Sequence, residues 1–289
     1  MSPPAIPPHL IARVVREALD EDIGPGDVTT DAIVPEGAKA HAVITTRTPI
    51  VVSGVAVALA AFSSLDPGVA VSTCAPEGGS LPAGATLLEV GGKARALLTA
   101  ERTAMNFLAH LSGVATFTRR CVDAAERAAA GRRIEVSDTR KTTPNLRLLE
   151  KMAVSSGGGA NHRQGLWDAC LIKDNHIAMA GGIEAAVTLA RRASGAETKV
   201  ATEVRDLEEL ELAIKAGTDA VLLDNFPNTL IREAIAMVAG RVMIEVSGGV
   251  TLESLPELAS LGVDRISMGS LTHSAPSADL TMRIEPWTS

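Results

Sequence analysis

From Arg133 onward the sequence keeps one rhythm, and that rhythm admits few folds. Short aliphatic runs stand at Arg133–Ser137, Cys170–Lys173, Lys199–Glu203, Ala220–Leu223, Val242–Val246 and Asp264–Met268. Between them lie Leu146–Val154, Gly182–Arg192, Asp206–Ala216, Pro227–Ala239 and Thr251–Leu261, which read as helices. Alternation of this kind implies parallel strands joined by right-handed crossovers and buried on both faces. Six such units fit a parallel α/β barrel of the TIM type, closed or nearly closed; an open doubly wound sheet is the alternative. No G-x-G-x-x-G follows the first strand, which counts against a dinucleotide fold.

The residues ahead of this rhythm read differently. Candidate strands are His41–Arg47, Ile50–Gly54, Gly68–Thr73 and Ala85–Val90, punctuated by Pro49, Pro67–Gly68 and Pro82–Gly84. A helix is expected over Pro8–Asp20, with Leu10, Val14, Val15 and Ala18 on one face. A long helical region starts near Ala94 and breaks at Ser112–Gly113, before a second helix to about Ala130. The division expected is a small N-terminal α+β domain over 1–113 and a barrel over 114–275. Aromatics make up only 2% of the 289 residues, with no tyrosine, so the core must be Ala, Val, Leu and Ile. That suits helices packed on a parallel sheet.

Several classes of function recede on composition. The net charge of −7 argues against nucleic acid or an anionic membrane as partner. Cys74, Cys121 and Cys170 have neither metal spacing nor the pairing of a disulfide framework. The start, MSPPAIPPHL, lacks the pattern of a signal peptide, and the most apolar segment, Ile50–Phe62, is too short to span a bilayer. A reduced, cytoplasmic protein is the expectation. Against the acidic average, Asp138–Lys173 holds six basic residues (Arg140, Lys141, Arg147, Lys151, Arg163, Lys173) and three acidic ones (Asp138, Glu150, Asp168), a net +3. Such an island is either a solvated helix face or a pocket for an anion.

The strand ends favour the pocket. After the first strand come Asp138, Thr139, Arg140 and Lys141; the second ends in Lys173, the third in Glu203, and Asp224 with Asn225 follows the fourth. Ser247, Gly248 and Gly249 follow the fifth, and Gly269 and Ser270 the sixth. In a parallel barrel these ends converge on one mouth, where active sites form. Ordinary loop exits account for Asn, Ser and Gly. They account poorly for ionised groups beside buried strands, which are costly without partners. Small residues after the last two strands, one set ahead of a helix from Thr251, suit a phosphate. The loop Ser155–Arg163, with three glycines before Asn161, His162 and Arg163, is either flexible or a presenter of His162 and Arg163 to an anion.

The run DTRKTTPNLRLLEKMAVSSGGGANHR, then LWDACLIKDNH, ATEV, LLDNF, VSGGV and SMGSLTHS, resembles quinolinate phosphoribosyltransferases. EDIGPGDVTTDAIVP and ERTAMNFLAHLSGVAT agree, so the resemblance covers nearly the whole chain in order. Asn145 stands where the family often has glycine, and Asn tolerates left-handed backbone. The resemblance implies that the N-terminal α+β domain is an α/β sandwich joined to an α/β barrel, with the tail 276–289 returning to the sandwich. It implies a homodimer or higher homo-oligomer in which Arg102 reaches the neighbour's mouth. The reaction implied takes quinolinate and phosphoribosyl pyrophosphate to nicotinate mononucleotide, pyrophosphate and carbon dioxide, with magnesium. Lys141, Glu203 and Asp224 are then expected to be catalytic, Glu203 and Asp224 also facing the metal. Substrate contacts are expected from Arg102, Thr139, Arg140, Lys141, His162, Arg163, Lys173, Glu203 and Asp224, and for the 5′-phosphate from Ser247, Gly248, Gly249, Gly269, Ser270, Leu271, Thr272 and His273. His9, His41, His110 and His176 read as structural or surface residues. Three alternatives stand beside this: a same-fold transferase for another ring, a Schiff-base aldolase using Lys173 or Lys141, and a non-catalytic phosphometabolite sensor.

Overall fold

The computed structural model describes residues 6–195 and 198–287. The first five residues, part of the start read as lacking a signal, and the last two of the expected tail lie outside the described residues. In chain order the elements are α1 (Pro8–Ile23), α2 (Val28–Ile33), β1 (Lys39–Thr46), β2 (Ile50–Val51), α3 (Val55–Leu65), β3 (Ala70–Cys74), β4 (Ser80–Leu81), β5 (Thr86–Lys93) and α4 (Ala94–Ala128). Then come β6 (Glu135–Ser137), α5 (Arg147–Ser156), β7 (Cys170–Ile172), α6 (Asp174–Ala180), α7 (Ile183–Ser194), β8 (Val200–Val204), α8 (Leu207–Lys215) and β9 (Ala220–Asp224). The last are α9 (Asn228–Val238), β10 (Met243–Ser247), α10 (Leu255–Leu261), β11 (Arg265–Ser267), α11 (Ser270–His273) and β12 (Leu280–Pro286). The chain forms two compact units, Met1–Arg119 with Thr142–Gly158 and Thr272–Ser289, and Arg120–Lys141 with Gly159–Leu271. Residues 142–158, which a division at 113 places with the barrel, fall in the first unit.

The first unit is built on an antiparallel sheet of order β12-β1-β5-β3. Alternation along β1 buries Ala40, Ala42, Ile44 and Thr46. β12 pairs with β1 from Ala40 opposite Pro286 to Thr46 opposite Leu280.

The helix break expected at Ser112–Gly113 is not there: α4 runs unbroken for 35 residues. Both residues are in the helix for contact, not for turning. Ser112 Oγ, fully buried, donates to Ser53 O and accepts from Ser53 N, each at 3.0 Å. A Cβ on Gly113 would lie 2.2 Å from Pro276 O, so glycine here admits a neighbouring backbone. A helix tolerates such a glycine when close approach compensates its lower propensity.

The second unit carries six parallel strands in the order β6-β11-β10-β9-β8-β7, an incompletely closed α/β barrel. The gap beside β6 takes a bridge from Ala160 to Ser137, with Ala160 N donating to Val136 O at 2.8 Å. The next residues of that segment are Asn161, His162 and Arg163.

Register sorts the strand residues into two faces. One carries Val136, Thr202, Val204, Val221, Leu223, Ile244, Val246 and Ile266, all buried. The other carries Ala201, Glu203, Ala220, Leu222, Asp224, Met243, Glu245, Ser247, Arg265 and Glu135. The second set lines a pocket of about 490 Å³ through Ala201, Ala220, Met243, Glu245 and Arg265. Barrel interiors are usually filled by branched aliphatic side chains. This one is floored by small residues and crossed by charge.

Because Gly113 faces backbone, Gly113→Ala should destabilise the protein by about 1–3 kcal/mol, the range for overpacking. At roughly 2–4 °C per kcal/mol for a domain of this size, thermal unfolding resolves the shift. An unchanged Tm would mean the tail simply moves aside.

Candidate active site

The parallel sheet carries the charged strand-end residues to one end of the barrel. Lys173 directly follows β7, and its Nζ lies 2.5 Å from Glu203 Oε2 on the adjacent β8. Asp224 closes β9 opposite Ser247 of β10, and Glu203 lies opposite Leu222, so both carboxylates share the inward face. Asn225 Nδ2 donates to Asp224 Oδ2 at 3.1 Å. Asn225 itself is left-handed, with φ 56°, and its N–H donates to Ser247 O. Gly248 explains itself here: its φ is 100°, and a Cβ would lie 2.3 Å from Asn225 Oδ1. The glycine leaves room for the amide that braces Asp224.

The basic island splits when folded. Arg147, Glu150 and Lys151 belong to α5 in the first unit, where Glu150 and Lys151 are buried. Glu150 accepts from Thr143 N at 3.0 Å and lies 2.8 Å from His110 Nε2, and Arg147 Nε donates to Thr142 Oγ1. Thr143–Leu146 closes as a turn, Leu146 N to Thr143 O, with Asn145 at φ 65°. Asparagine therefore takes the left-handed position that the family often gives to glycine. These bonds order the turn that leads into α5. His110 and His176 are structural, His176 Nδ1 accepting from Lys173 N at 3.0 Å.

Arg140, Lys141, Arg163 and Lys173 remain in the barrel unit. Thr139 Oγ1 accepts from Lys141 N at 3.0 Å, and Lys141 is exposed. Burial, and then the like charge of Arg140, hold the Arg163 guanidinium below its ordinary pKa. Arg163 Nη1 donates to Ala169 O at 3.2 Å, while its buried Nε has no hydrogen-bond partner among the described residues. Two cations kept close and partly desolvated are what an anion relieves.

Arg163 sits on a braced segment. Asp168 accepts from Gln164 N and Gly165 N, bonds that hold its carboxyl below the usual range although burial pushes it up. Asp138, fully buried, accepts from His162 N at 2.8 Å. His162 was expected as a counter-charge to a ligand, yet both ring nitrogens engage the protein. Nδ1 accepts from Arg163 N at 2.7 Å, and Nε2 lies 3.3 Å from Glu245 Oε1. Glu245 was missed because its run, MIEVS, reads as one more aliphatic strand. The available signal was alternation: Glu245 shares a face with Ser247, two residues on.

The phosphate candidates are placed as follows. Gly249 is exposed with φ 59°, and Ser270 Oγ is buried without a partner among the described residues. The helix expected from Thr251 begins at Leu255, because Thr251 and Ser254 exchange side-chain and backbone bonds in a turn of their own. The argument from a helix dipole just behind Gly249 therefore falls away, and the backbone of the glycine turn is what remains. Gly269 precedes α11; Leu271 is buried, Thr272 is buried, and His273 Nδ1 lies 2.5 Å from exposed Ser274 Oγ. Arg102 is exposed on α4 in the first unit. Among the described residues no group of three or more His, Cys, Asp or Glu could hold a metal by itself. No helix of the described residues is long and apolar enough to cross a membrane.

Comparison with known proteins gives a consistent result. The family described as quinolinate phosphoribosyl transferase, C-terminal domain, matches residues 114–283, and its N-terminal domain matches 27–112. A probable nicotinate-nucleotide pyrophosphorylase [carboxylating] of Bacillus subtilis is 42% identical over 267 residues, 91% of this chain and 90% of that protein. The nicotinate-nucleotide pyrophosphorylase [carboxylating] of Mycobacterium leprae is 42% identical over 272 residues, 92% and 94% of the two chains. The solved nicotinate-nucleotide pyrophosphorylase of Francisella tularensis superposes with a TM-score of 0.92 at 39% identity, covering 97% of this chain and 98% of its own.

The crowded guanidiniums carry a prediction. A dicarboxylate such as phthalate should raise Tm more than benzoate at equal concentration and ionic strength. Binding at a hundred times Kd adds about 2.7 kcal/mol. Arg163→Gln should abolish most of the difference. Equal shifts from both ligands would show that the site does not count charges.

Proposed function

The chain belongs to the quinolinate phosphoribosyltransferase family, and we propose how its residues share the work of that family's reaction. The protein is an enzyme that transfers the phosphoribosyl group of phosphoribosyl pyrophosphate to quinolinate, with decarboxylation, giving nicotinate mononucleotide, pyrophosphate and carbon dioxide. It acts in pyridine nucleotide biosynthesis. What supports the division of roles is a pair of observations: Arg163 feels the like charge of Arg140 and lines the pocket with Glu245, and Lys173, Glu203 and Asp224 stand together at the strand ends.

Quinolinate is a dianion, and Arg140, Arg163, Lys141 and Lys173 are its counter-charges, at about 1.5–3 kcal/mol net for each charge-assisted hydrogen bond. The ring nitrogen attacks the anomeric carbon, the bond to pyrophosphate breaks, and positive charge develops between them. Glu203 and Asp224 face that charge and the ribose hydroxyls. Lys173 holds Glu203 in place meanwhile. Ribosylation leaves a cationic ring nitrogen beside one carboxylate. That carboxylate leaves as carbon dioxide, its bonding pair stays on the ring carbon next to the cation, and a proton then closes the product. No side chain forms a covalent intermediate; catalysis is positioning and electrostatics. The 5′-phosphate is taken by backbone of Ser247, Gly248, Gly249 and Gly269, with Ser270, Leu271, Thr272 and His273 adjoining.

Magnesium is part of this proposal. The donors suit a hard cation, and two carboxylates are too few for a site of their own. Glu203 and Asp224 would therefore hold a magnesium ion that arrives on phosphoribosyl pyrophosphate, where it neutralises the leaving group. The oligomer is also part of it: a homodimer or higher assembly, with exposed Arg102 adding a further cation to the neighbour's mouth. A Schiff-base reading is disfavoured because Lys173 Nζ donates to Glu203.

The assay is discontinuous: purified protein, phosphoribosyl pyrophosphate and magnesium, with quinolinate or nicotinate as acceptor, following nicotinate mononucleotide. Product from quinolinate alone is expected; product from nicotinate would remove the dicarboxylate reading. Arg102→Ala and Lys141→Ala should each be nearly inactive, and mixed subunits should regain activity through hybrid dimers. Verified heterodimers without activity would end the shared-site proposal.

A further inference from the structure

Glu245 is a buried carboxylate that the reaction as described does not use. It stands on the inward face of β10, two residues before Ser247 and opposite Leu222, in the same row as Glu203 and one row before Asp224. It is 3% exposed. Burial pushes its carboxyl up, but the bonds to His162 and Ser267 and the charge of Arg265 outweigh that and hold it below the usual range. An ionised group at this depth is costly unless every oxygen is served. Oε1 receives Ser267 Oγ at 2.5 Å and faces His162 Nε2, while Oε2 faces Arg265 Nη1 at 3.5 Å. Arg265 also reaches Glu135 Oε2 at 2.8 Å, which fixes it in turn.

The ring of His162 reports what this arrangement does. Its Nδ1 accepts the backbone N–H of Arg163 at 2.7 Å, so Nδ1 carries a lone pair and the proton is on Nε2, aimed at Glu245. Glu245 of β10 faces the ring, Asp138 after β6 holds the His162 backbone N–H at 2.8 Å, and Arg265 of β11 meets Glu245 from its other oxygen. The chain of contacts therefore runs from Ser267 and Arg265, through Glu245 and the ring, to the backbone from which the Arg163 guanidinium is hung.

We propose that Glu245 is a positioning residue for dicarboxylate recognition: it locks His162 as the Nε2–H tautomer, and the locked ring fixes the backbone that presents Arg163. The proposal rests on the reading that Arg163 meets quinolinate. It gives the buried charge of Glu245 a purpose. Each link is a short polar contact inside one compact unit.

Two measurements test it, one of them independent of catalysis. The chain has six histidines. In protein labelled with nitrogen-15 histidine, with His162→Asn to assign the resonance, His162 should show Nε2–H and a bare Nδ1. A ring found as Nδ1–H overturns the lock whether or not the enzyme uses quinolinate. The second measurement is kinetic. Glu245→Gln keeps an acceptor for Nε2–H and should leave KM for quinolinate within about threefold, while Glu245→Leu should raise it about ten- to a hundredfold, the cost of a misplaced contact group. KM for phosphoribosyl pyrophosphate should move far less in both. Glu245→Leu protein that folds and keeps its quinolinate KM sinks the proposal. Should that variant fail to fold, a Glu245→Gln KM raised as far as tenfold sinks it, as does the wrong tautomer in unaltered protein. A wild-type protein inactive on quinolinate but with the locked tautomer would instead fault the functional reading alone.

Discussion

Charge inside a parallel barrel is the constraint on which the rest of this molecule depends. A carboxylate facing inward from the middle of β10 cannot be left to solvent or to aliphatic neighbours, since each unpaired ion there costs several kcal/mol, roughly. Glu245 is stabilised only because β11 brings Arg265 and Ser267 beside it and the segment after Ala160 brings His162. Arg265 in turn needs Glu135 from β6. The parallel register makes this network obligatory: Glu135, Arg265 and Glu245 are paired residues on three adjacent strands. A slip of one residue would turn every one of them toward the aliphatic layer. The same charges that hold the centre of the barrel therefore specify its strand alignment.

The incomplete closure of the barrel follows from the same need. β6 and β7 are the two edges of the sheet, and the chain between them does not become a regular strand beyond the bridge at Ala160. Instead Asn161–Ala169 is held by side chains: Asp138 on the backbone of His162, Asp168 on the backbone of Gln164 and Gly165, and Ala169 O on the Arg163 guanidinium. A strand would have pointed alternate residues away. A segment braced by acids keeps Arg163 turned toward Arg140 in spite of their repulsion. Like charges held this close favour a nearby anion.

Much of this was legible in the sequence because barrels write themselves as rhythm. All six strands of the second unit lie within two residues of the aliphatic runs, and Lys173, Glu203, Asp224 and Ser247 stand at their ends as the alternation requires. Other features were hidden for physical reasons. Gly113 reads as a helix breaker, yet the contact with Pro276 that explains it lies far along the chain. α10 starts late because a Ser–Thr turn competes with the helix for the same backbone donors. Composition alone could not show that Arg147 and Lys151 belong to α5 of the first unit while Arg140 and Arg163 belong to the barrel unit. Glu245 was invisible in a run judged by its aliphatic content, although its parity with Ser247 was readable.

A polar interior also suits the particular chemistry. The reaction begins with a dianion and a highly charged pyrophosphate, passes through positive charge at the anomeric carbon, and leaves a pyridinium that expels carbon dioxide. Charge of both signs must therefore be met within a few ångströms, and dipoles or ions that are already fixed do this without reorganising during the event. An aliphatic interior would offer nothing beneath the mouth to hold such groups still. Here the charged residues are each tied to a partner: Lys173 to Glu203, Asp224 to Asn225, and Arg163 through its own backbone to His162 and Glu245. Glu135, Arg265 and Glu245 continue across Leu222 to Glu203 in a single row, so the charge that replaces the barrel's usual branched filling reaches the strand ends already fixed by its partners.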